Sequence, residues 1–208
     1  MAVSSASWDS VRLPSVQPGM KVGLFGGSFD PPHAGHREVS LVALRALGLD
    51  QVWWLVSPQN PLKPDAPSED LDRRVAAARK LAANPRIKVT GIEATLGTTY
   101  TAETLARLMP RLSGIHLVWM MGADNLATFH HWRNWEGIAA SVPIAVFNRP
   151  GLALKALSSP AAEALARFRI ADRDAAGLAL KPPPAWVFLP TPHIPLSSTL
   201  LRQRRQAS

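Results

Sequence analysis

The chain has 208 residues with no cysteine, and 23 Lys and Arg against 15 Asp and Glu give a formal charge of +8. That length suits one domain, since single cores grow to about 250 residues before splitting, and the missing cysteine excludes disulfide scaffolds, Cys-ligated zinc, iron–sulfur clusters and thiol nucleophiles. An apolar fraction of 47% and a mean hydropathy of +0.01 exclude a disordered chain, and the uncharged stretch around an apolar core, Gly137 to Asn148, is far short of the ~18–20 residues of a membrane span.

Residues 1–19, rich in Ser, Val and Pro without a period, read as a flexible leader. They lack the basic start and apolar run of a secretory signal, so a cytoplasmic protein is expected, with residues 20–208 as one domain. Lys21–Phe25 is an apolar run entering the turn Gly26-Gly27, hence a strand. From His33 to Leu47, Val39, Val42, Ala43, Ala46 and Leu47 recur at the helical period, and Gly48 suits the helix end. Gln51–Val56 has the composition of a buried strand. Ser57 to Pro67 holds four prolines and reads as a loop. Ser68-Glu69-Asp70 then opens a helix to about Asn84, with a capping hydroxyl and an acidic first turn.

Ile87–Thr90 reads as a strand, Thr101–Leu108 as a helix, Ile115–Met121 as a strand ending at Gly122, and Pro143–Phe147 as another strand. Residues 152–184 read as Ala-rich helix and Pro-rich loop, with a helix start at Ser159-Pro160. Trp186–Leu189 is the last strand, and a last helix starts at Ser197. Strands and helices in turn predict an α/β fold, a doubly wound parallel sheet covered on both faces.

In such sheets ligands bind beyond the carboxyl ends of the strands. The first of those ends carries Gly26-Gly27-Ser28-Phe29-Asp30-Pro31-Pro32-His33-Ala34-Gly35-His36. Glycines let backbone approach a ligand, and prolines fix the loop. His33 and His36 fall on one face of the first helical turn, where N–H groups and the helix dipole attract phosphate. No Gly-Lys-Ser/Thr follows, so this is not a Walker loop, and there is no G-x-G-x-x-G dinucleotide fingerprint. A His pair at this spacing alone is more often structural, and no third ligand nearby suggests zinc. The Arg-rich positive charge suits an anionic partner, and it equally suits a basic surface that keeps a protein in solution.

Gly26 to His36 resembles the GG(S/T)FDPxHxGH motif of the HxGH nucleotidylyltransferases, which join a nucleotide α-phosphate to another phosphate. Leu196-Ser197-Ser198-Thr199-Leu200-Leu201-Arg202 is similar to the second motif of that superfamily, ISSTxIR. Met121-Gly122-Ala123-Asp124-Asn125-Leu126, followed by His131-Trp132, resembles the GADxL…W block of the bacterial nicotinate-nucleotide adenylyltransferases. Thr99-Tyr100-Thr101-Ala102-Glu103-Thr104-Leu105 and Asn148-Arg149-Pro150-Gly151 resemble that family's SYTxxTL segment and RPG turn. The matches run in family order from residue 23 to 202. Pro32, Leu196 and Leu201 stand where Ile is usual, and Arg133 stands where an aromatic is frequent.

The resemblance implies a Rossmann-like nucleotidylyltransferase fold and adenylyl transfer from ATP to nicotinate mononucleotide, giving nicotinate adenine dinucleotide and pyrophosphate. It makes His33, His36 and Arg202 the catalytic groups. ATP falls to Gly26, Gly27, Ser28, Phe29, His36, Asp124, Ser197, Ser198, Thr199 and Arg202, with Asp124 on the ribose hydroxyls and the C-terminal group on the β- and γ-phosphates. The mononucleotide falls to Lys63, Thr99 and Trp132, with Trp132 stacked on the pyridine ring. Mg²⁺ is expected mainly on the ATP phosphates, with no protein metal site.

Each residue also has a plainer reading. Ser197 or Ser198 would cap a helix, Asp124 would cap another, Trp132 would be one of seven tryptophans in the core, and Lys63 a solvated charge. Transfer to another phosphate, such as phosphopantetheine, competes, but the Thr99 and Trp132 blocks weigh against it. A basic nucleic-acid-binding module competes on the strength of the charge and the Arg202-Gln203-Arg204-Arg205 end, but its basic residues are dispersed and no RNA-binding motif accompanies them. The expected partners are therefore ATP and nicotinate mononucleotide, not nucleic acid or membrane, and homo-oligomerisation stays open.

Overall fold

The run Val52-Trp53-Trp54-Leu55-Val56 becomes strand β2 (Gln51–Val56), buried on both faces. Its neighbours are β1 (Lys21–Gly27) and β3 (Ile87–Thr90), and β4 (His116–Gly122), β5 (Ile144–Phe147), β6 (Arg169–Ile170) and β7 (Trp186–Leu189) complete the sheet. The structure is a computed structural model that describes residues 12–58, 70–148 and 151–191. The strand order is β3-β2-β1-β4-β5-β7-β6, and every pairing is parallel. The order reverses between β1 and β4, which opens a crevice at their carboxyl ends. The doubly wound α/β expectation holds.

Side chains alternate across a strand, so the sheet has a core on each face. Trp54 enters one core with Phe25 and Val56, beneath α1 (Ala34–Ala46) and α2 (Leu71–Ala82). Trp53 enters the other with Leu24 and Trp119. That second core is covered by α3 (Ile92–Leu96), α4 (Thr101–Leu108), α5 (Ala123–Leu126), α6 (Trp135–Ser141), α7 (Ala153–Leu157) and α8 (Pro160–Ala164).

The face of α1 differs from the apolar periodicity. His36, Ser40, Ala43 and Leu44 are its buried residues, while Val39, Val42 and Ala46 are only partly buried. The polar positions are tolerated because they are bonded: Trp54 Nε1 donates to Ser40 Oγ at 2.7 Å, and Ser40 Oγ donates to the His36 carbonyl at 2.9 Å. At α2 the N-cap is Asp70, whose side chain makes no capping bond, and Ser68 lies outside the described residues. At α8 the Ser159-Pro160 start is as expected, with Ser159 Oγ accepting from Ala162 N–H at 3.3 Å.

Short elements escaped the periodicity: α3, α5, α6 and the two-residue edge strand β6, which falls in a stretch read as helix and loop. Residues 12–19, part of the expected leader, lie against the body. Leu13 and Val16 pack on the second core, and Thr90 Oγ1 donates to the Arg12 carbonyl at 2.9 Å.

Candidate active site

Beyond β1 the chain passes from Gly26 to His36 with little freedom. A Cβ at Gly26 would stand 2.8 Å from Trp119 Cη2, so only glycine lets the strand end lie on that ring. Phe29 adopts a left-handed backbone, φ +47°, which costs a non-glycine residue about 1–3 kcal/mol. Its ring offsets that strain by burial: it stacks on Trp54 at 5.0 Å and lies 4.6 Å from the His36 ring. His33 is the N-cap of α1, and both histidines are buried, their ring centroids 3.8 Å apart. His33 N–H donates to His36 Nδ1 at 3.1 Å. A nitrogen that accepts carries no proton, so neutral His36 holds its proton on Nε2 and presents that N–H as a donor.

Arg74, buried on α2, ties this loop to the end of β2. Its Nη1 donates to the carbonyls of Ser28 at 2.6 Å and Ser57 at 2.8 Å, and its Nη2 to Pro58 at 2.9 Å. A planar fork suits several carbonyls at once. The loop is thereby held from beneath by Phe29 and from the side by Arg74.

The opposite wall is built by the segment between β3 and α4 and by the segment after β4. Glu93, buried on α3, accepts from Thr104 Oγ1 at 3.0 Å, and burial raises its carboxyl from 4.5 to about 7 against the lowering effect of that bond. Thr104 has one proton but three acceptors in reach, with Thr98 Oγ1 at 2.9 Å and the Tyr100 carbonyl at 3.3 Å. When Glu93 is protonated it donates to Thr104, whose own proton is then released to the Thr98–Tyr100 turn. Across from that turn, Trp132 packs edge-on against Phe129 at 5.4 Å. Its Nε1 is buried and has no hydrogen-bond partner, an unusual state for an indole.

Between the two walls is a cavity of about 330 Å³, within the ~300–1,000 Å³ range of small-molecule sites. Gly26, Gly27 and Ser28 line one side, and Glu93, Thr99, Tyr100, Trp132 and Arg133 the other. One wall offers backbone at the end of a strand, and the other an aromatic face and a helix start. Such a cavity can hold a flat ring at one end and a phosphate at the other.

Residues 24–204 match the cytidylyltransferase-like family. A Bradyrhizobium sp. protein named "Probable nicotinate-nucleotide adenylyltransferase" is 55% identical over 183 residues, covering 88% of this chain and 95% of its own length. A Cereibacter sphaeroides protein of the same name is 57% identical over 183 residues, 88% of this chain and 97% of its own. The chain belongs to the nicotinate-nucleotide adenylyltransferases. A Plasmodium falciparum nicotinic acid mononucleotide adenylyltransferase complexed with APC shares the fold at a TM-score of 0.65 and 14% identity, over 88% of this chain and 83% of that one.

Within this nicotinate-nucleotide adenylyltransferase fold, Gly26, Gly27, Ser28, Thr99 and Trp132 come together around the cavity. His33 and His36 sit at the start of α1, outside its lining, and Phe29 is 1% exposed. Asp124 lies in the first turn of α5, whose N-cap is Gly122. Lys63, Ser197, Ser198, Thr199 and Arg202 lie outside the described residues. Three residues escaped sequence reasoning. Arg74 had a signal, an arginine on the stripe of Ala78 and Ala82 four and eight positions on, all three buried. Arg133 was visible only as a departure from the family pattern, and Glu93 gave no signal.

Proposed function

We propose that the chain transfers the adenylyl group of ATP to nicotinate mononucleotide, giving nicotinate adenine dinucleotide and pyrophosphate. The observation that supports this best is the cavity at the β1/β4 reversal, walled by Gly26–Ser28 on one side and by Thr99, Tyr100 and Trp132 on the other. Trp132 stacks on the pyridine ring, and Thr99 lies beside it. Gly26, Gly27 and Ser28 let ATP approach the strand end, with Phe29 setting the loop's shape. Asp124 takes the ribose hydroxyls. Lys63, Ser197, Ser198, Thr199 and Arg202 keep their assignment to phosphates on the sequence resemblance.

The nucleophile is an oxygen of the mononucleotide's phosphate, whose second pKa of about 6 leaves it mostly ionised at neutral pH. It bonds to the ATP α-phosphorus, and the bond from that phosphorus to the bridging oxygen breaks, pyrophosphate leaving with the electron pair. The reaction therefore needs alignment and relief of charge, not a base. His36 Nε2–H and the amides opening α1 are donors for that charge, with His33 beside them and Arg202 on the departing pyrophosphate. Among the described residues no group of three or more His, Asp or Glu could hold a metal. Mg²⁺ carried mainly on ATP phosphates and water would neutralise phosphate charge there. We assign the reaction to the cytoplasm, with neither nucleic acid nor membrane as partner. No helix among the described residues is long and apolar enough to cross a membrane.

The test is pyrophosphate release from ATP and Mg²⁺ with nicotinate mononucleotide, nicotinamide mononucleotide and phosphopantetheine in parallel. Turnover fastest with a pyridine mononucleotide is expected. Preference for phosphopantetheine would overturn the substrate, and release with none of the three would overturn the activity.

A further inference from the structure

The acid and amide mononucleotides differ only at the pyridine substituent, an ionised carboxylate in one and a neutral amide in the other. Among the described residues lining the cavity, Arg133 is the only Lys or Arg. Its backbone is fixed: Trp135 N–H donates to the Trp132 carbonyl at 3.1 Å, and Asn134 takes a left-handed turn at φ +52°, a conformation Asn tolerates. Its side chain is held differently. The guanidinium carbon lies 5.0 Å from the centroid of the Tyr100 ring, and Nη1 donates to Glu103 Oε1 at 2.8 Å. Trp132, Arg133 and Tyr100 all line the cavity, so the cation borders the same space as the ring given to the pyridine.

The pair with Glu103 is weak. The two side chains are 65% and 36% exposed, so solvent and salt screen it. Stacking on Tyr100 is independent of Glu103 and keeps the guanidinium at the cavity mouth. A carboxylate arriving on the ring can take the place of the Glu103 carboxylate in the same fork geometry. An amide cannot, because it brings no charge to replace the one given up.

We infer that Arg133 selects the acid over the amide, exchanging Glu103 for the carboxylate of the pyridine ring while it stays stacked on Tyr100. This rests on the reading of the cavity as the mononucleotide site. Glu103 then acts as a competitor that holds the cation in readiness, and its removal strengthens binding of the acid. A structural strut between α4 and the segment after β4 would behave in the opposite way.

The experiment compares kcat/KM for nicotinate and nicotinamide mononucleotides in wild type, Arg133→Ala, Arg133→Lys and Glu103→Gln, with thermal melting of each variant. Arg133→Ala lowers the acid-to-amide ratio by about tenfold, the scale of a charge-assisted bond reduced by exposure. Arg133→Lys recovers part of it, since it keeps the charge and loses the fork. Glu103→Gln raises the ratio by about two- to threefold. An unchanged ratio in Arg133→Ala overturns the inference, as does a fall in Glu103→Gln. Both mononucleotides carry the same phosphate, so equal losses for the two would assign Arg133 to that phosphate and overturn the inference while the activity stands. A wild type that adenylylates neither mononucleotide overturns the activity itself, and the inference with it.

Discussion

The two walls of the cavity are built to different standards of rigidity. On the β1 side every described feature is pinned: Phe29 is buried between Trp54 and His36, His33 N–H fixes the His36 tautomer, and Arg74 gathers three carbonyls. On the β4 side Thr99, Tyr100 and Arg133 are exposed, and the indole nitrogen of Trp132 has no partner. The difference follows from the tasks proposed for the two. Donors that act on developing charge must be in place beforehand, because reorganising them during reaction raises the barrier. A wall that chooses between an acid and an amide gains from a side chain that can change partners. Substitutions on the rigid wall should therefore lower kcat or stability, and those on the other should alter KM for one substrate.

The sharpest test of the rigid wall is His36. His36→Ala should lower kcat by about 10²–10³, the effect of losing one preorganised transition-state donor, with much less change in ATP affinity. Steady-state kinetics at saturating ATP would measure it, and turnover within threefold of wild type would remove His36 from the mechanism. Next comes Arg74→Met, which keeps the apolar stem and leaves the Ser28, Ser57 and Pro58 carbonyls without that donor. Losing a buried charged donor of this kind should destabilise by roughly 3 kcal/mol or more. Arg74→Lys should recover less than half, as an ammonium lacks the planar fork. Unfolding free energies from denaturant titration within about 1 kcal/mol of wild type would mean that Phe29 alone holds the loop.

On the other wall, Trp132→Ala should raise KM for the mononucleotide by about tenfold to a hundredfold, since ring stacking is worth roughly 1–3 kcal/mol. KM for ATP should stay near its normal value. If both substrates weaken alike in a folded variant, Trp132 is a packing residue against Phe129 and the two walls are not functionally distinct.

The same contrast governs how much could be read from the sequence. The β1 wall was legible because its constraints are local: two glycines, three prolines or aromatics and two histidines within one short loop announce a fixed turn at a helix start. The long strands and α4 were legible for the same reason, their periodicity being contained in one segment. Glu93, Arg133 and α3 were not, since their meaning depends on contacts between segments far apart in the chain. Glu93 matters through Thr104, and Arg133 through Tyr100 and Glu103. The buried face of α1 was misjudged on similar grounds. Ser40 reads as polar until Trp54 Nε1 is placed on its hydroxyl.

Glu93 gives the smallest effect per step of measurement and the cleanest link to the adjustable wall. Burial lifts its carboxyl from 4.5 to about 7, so between those values the folded chain keeps a proton that the unfolded chain has released. Stability then falls as pH rises, by at most about 1.4 kcal/mol per pH unit from this group. Below pH 4.5 both states are protonated and the term vanishes; above about 7 both are ionised and the loss is complete and constant. Glu93→Gln removes the titration and keeps an oxygen for Thr104 Oγ1, so wild type and variant should agree near pH 4. At pH 8 the variant should be the more stable, and unfolding free energies at several pH values would measure the gap. Parallel pH profiles for the two proteins would show that Glu93 is solvated in the folded chain. The Thr98–Tyr100 turn would then be held without the proton exchange through Thr104, and the β4-side wall would owe its adjustability to Arg133 alone.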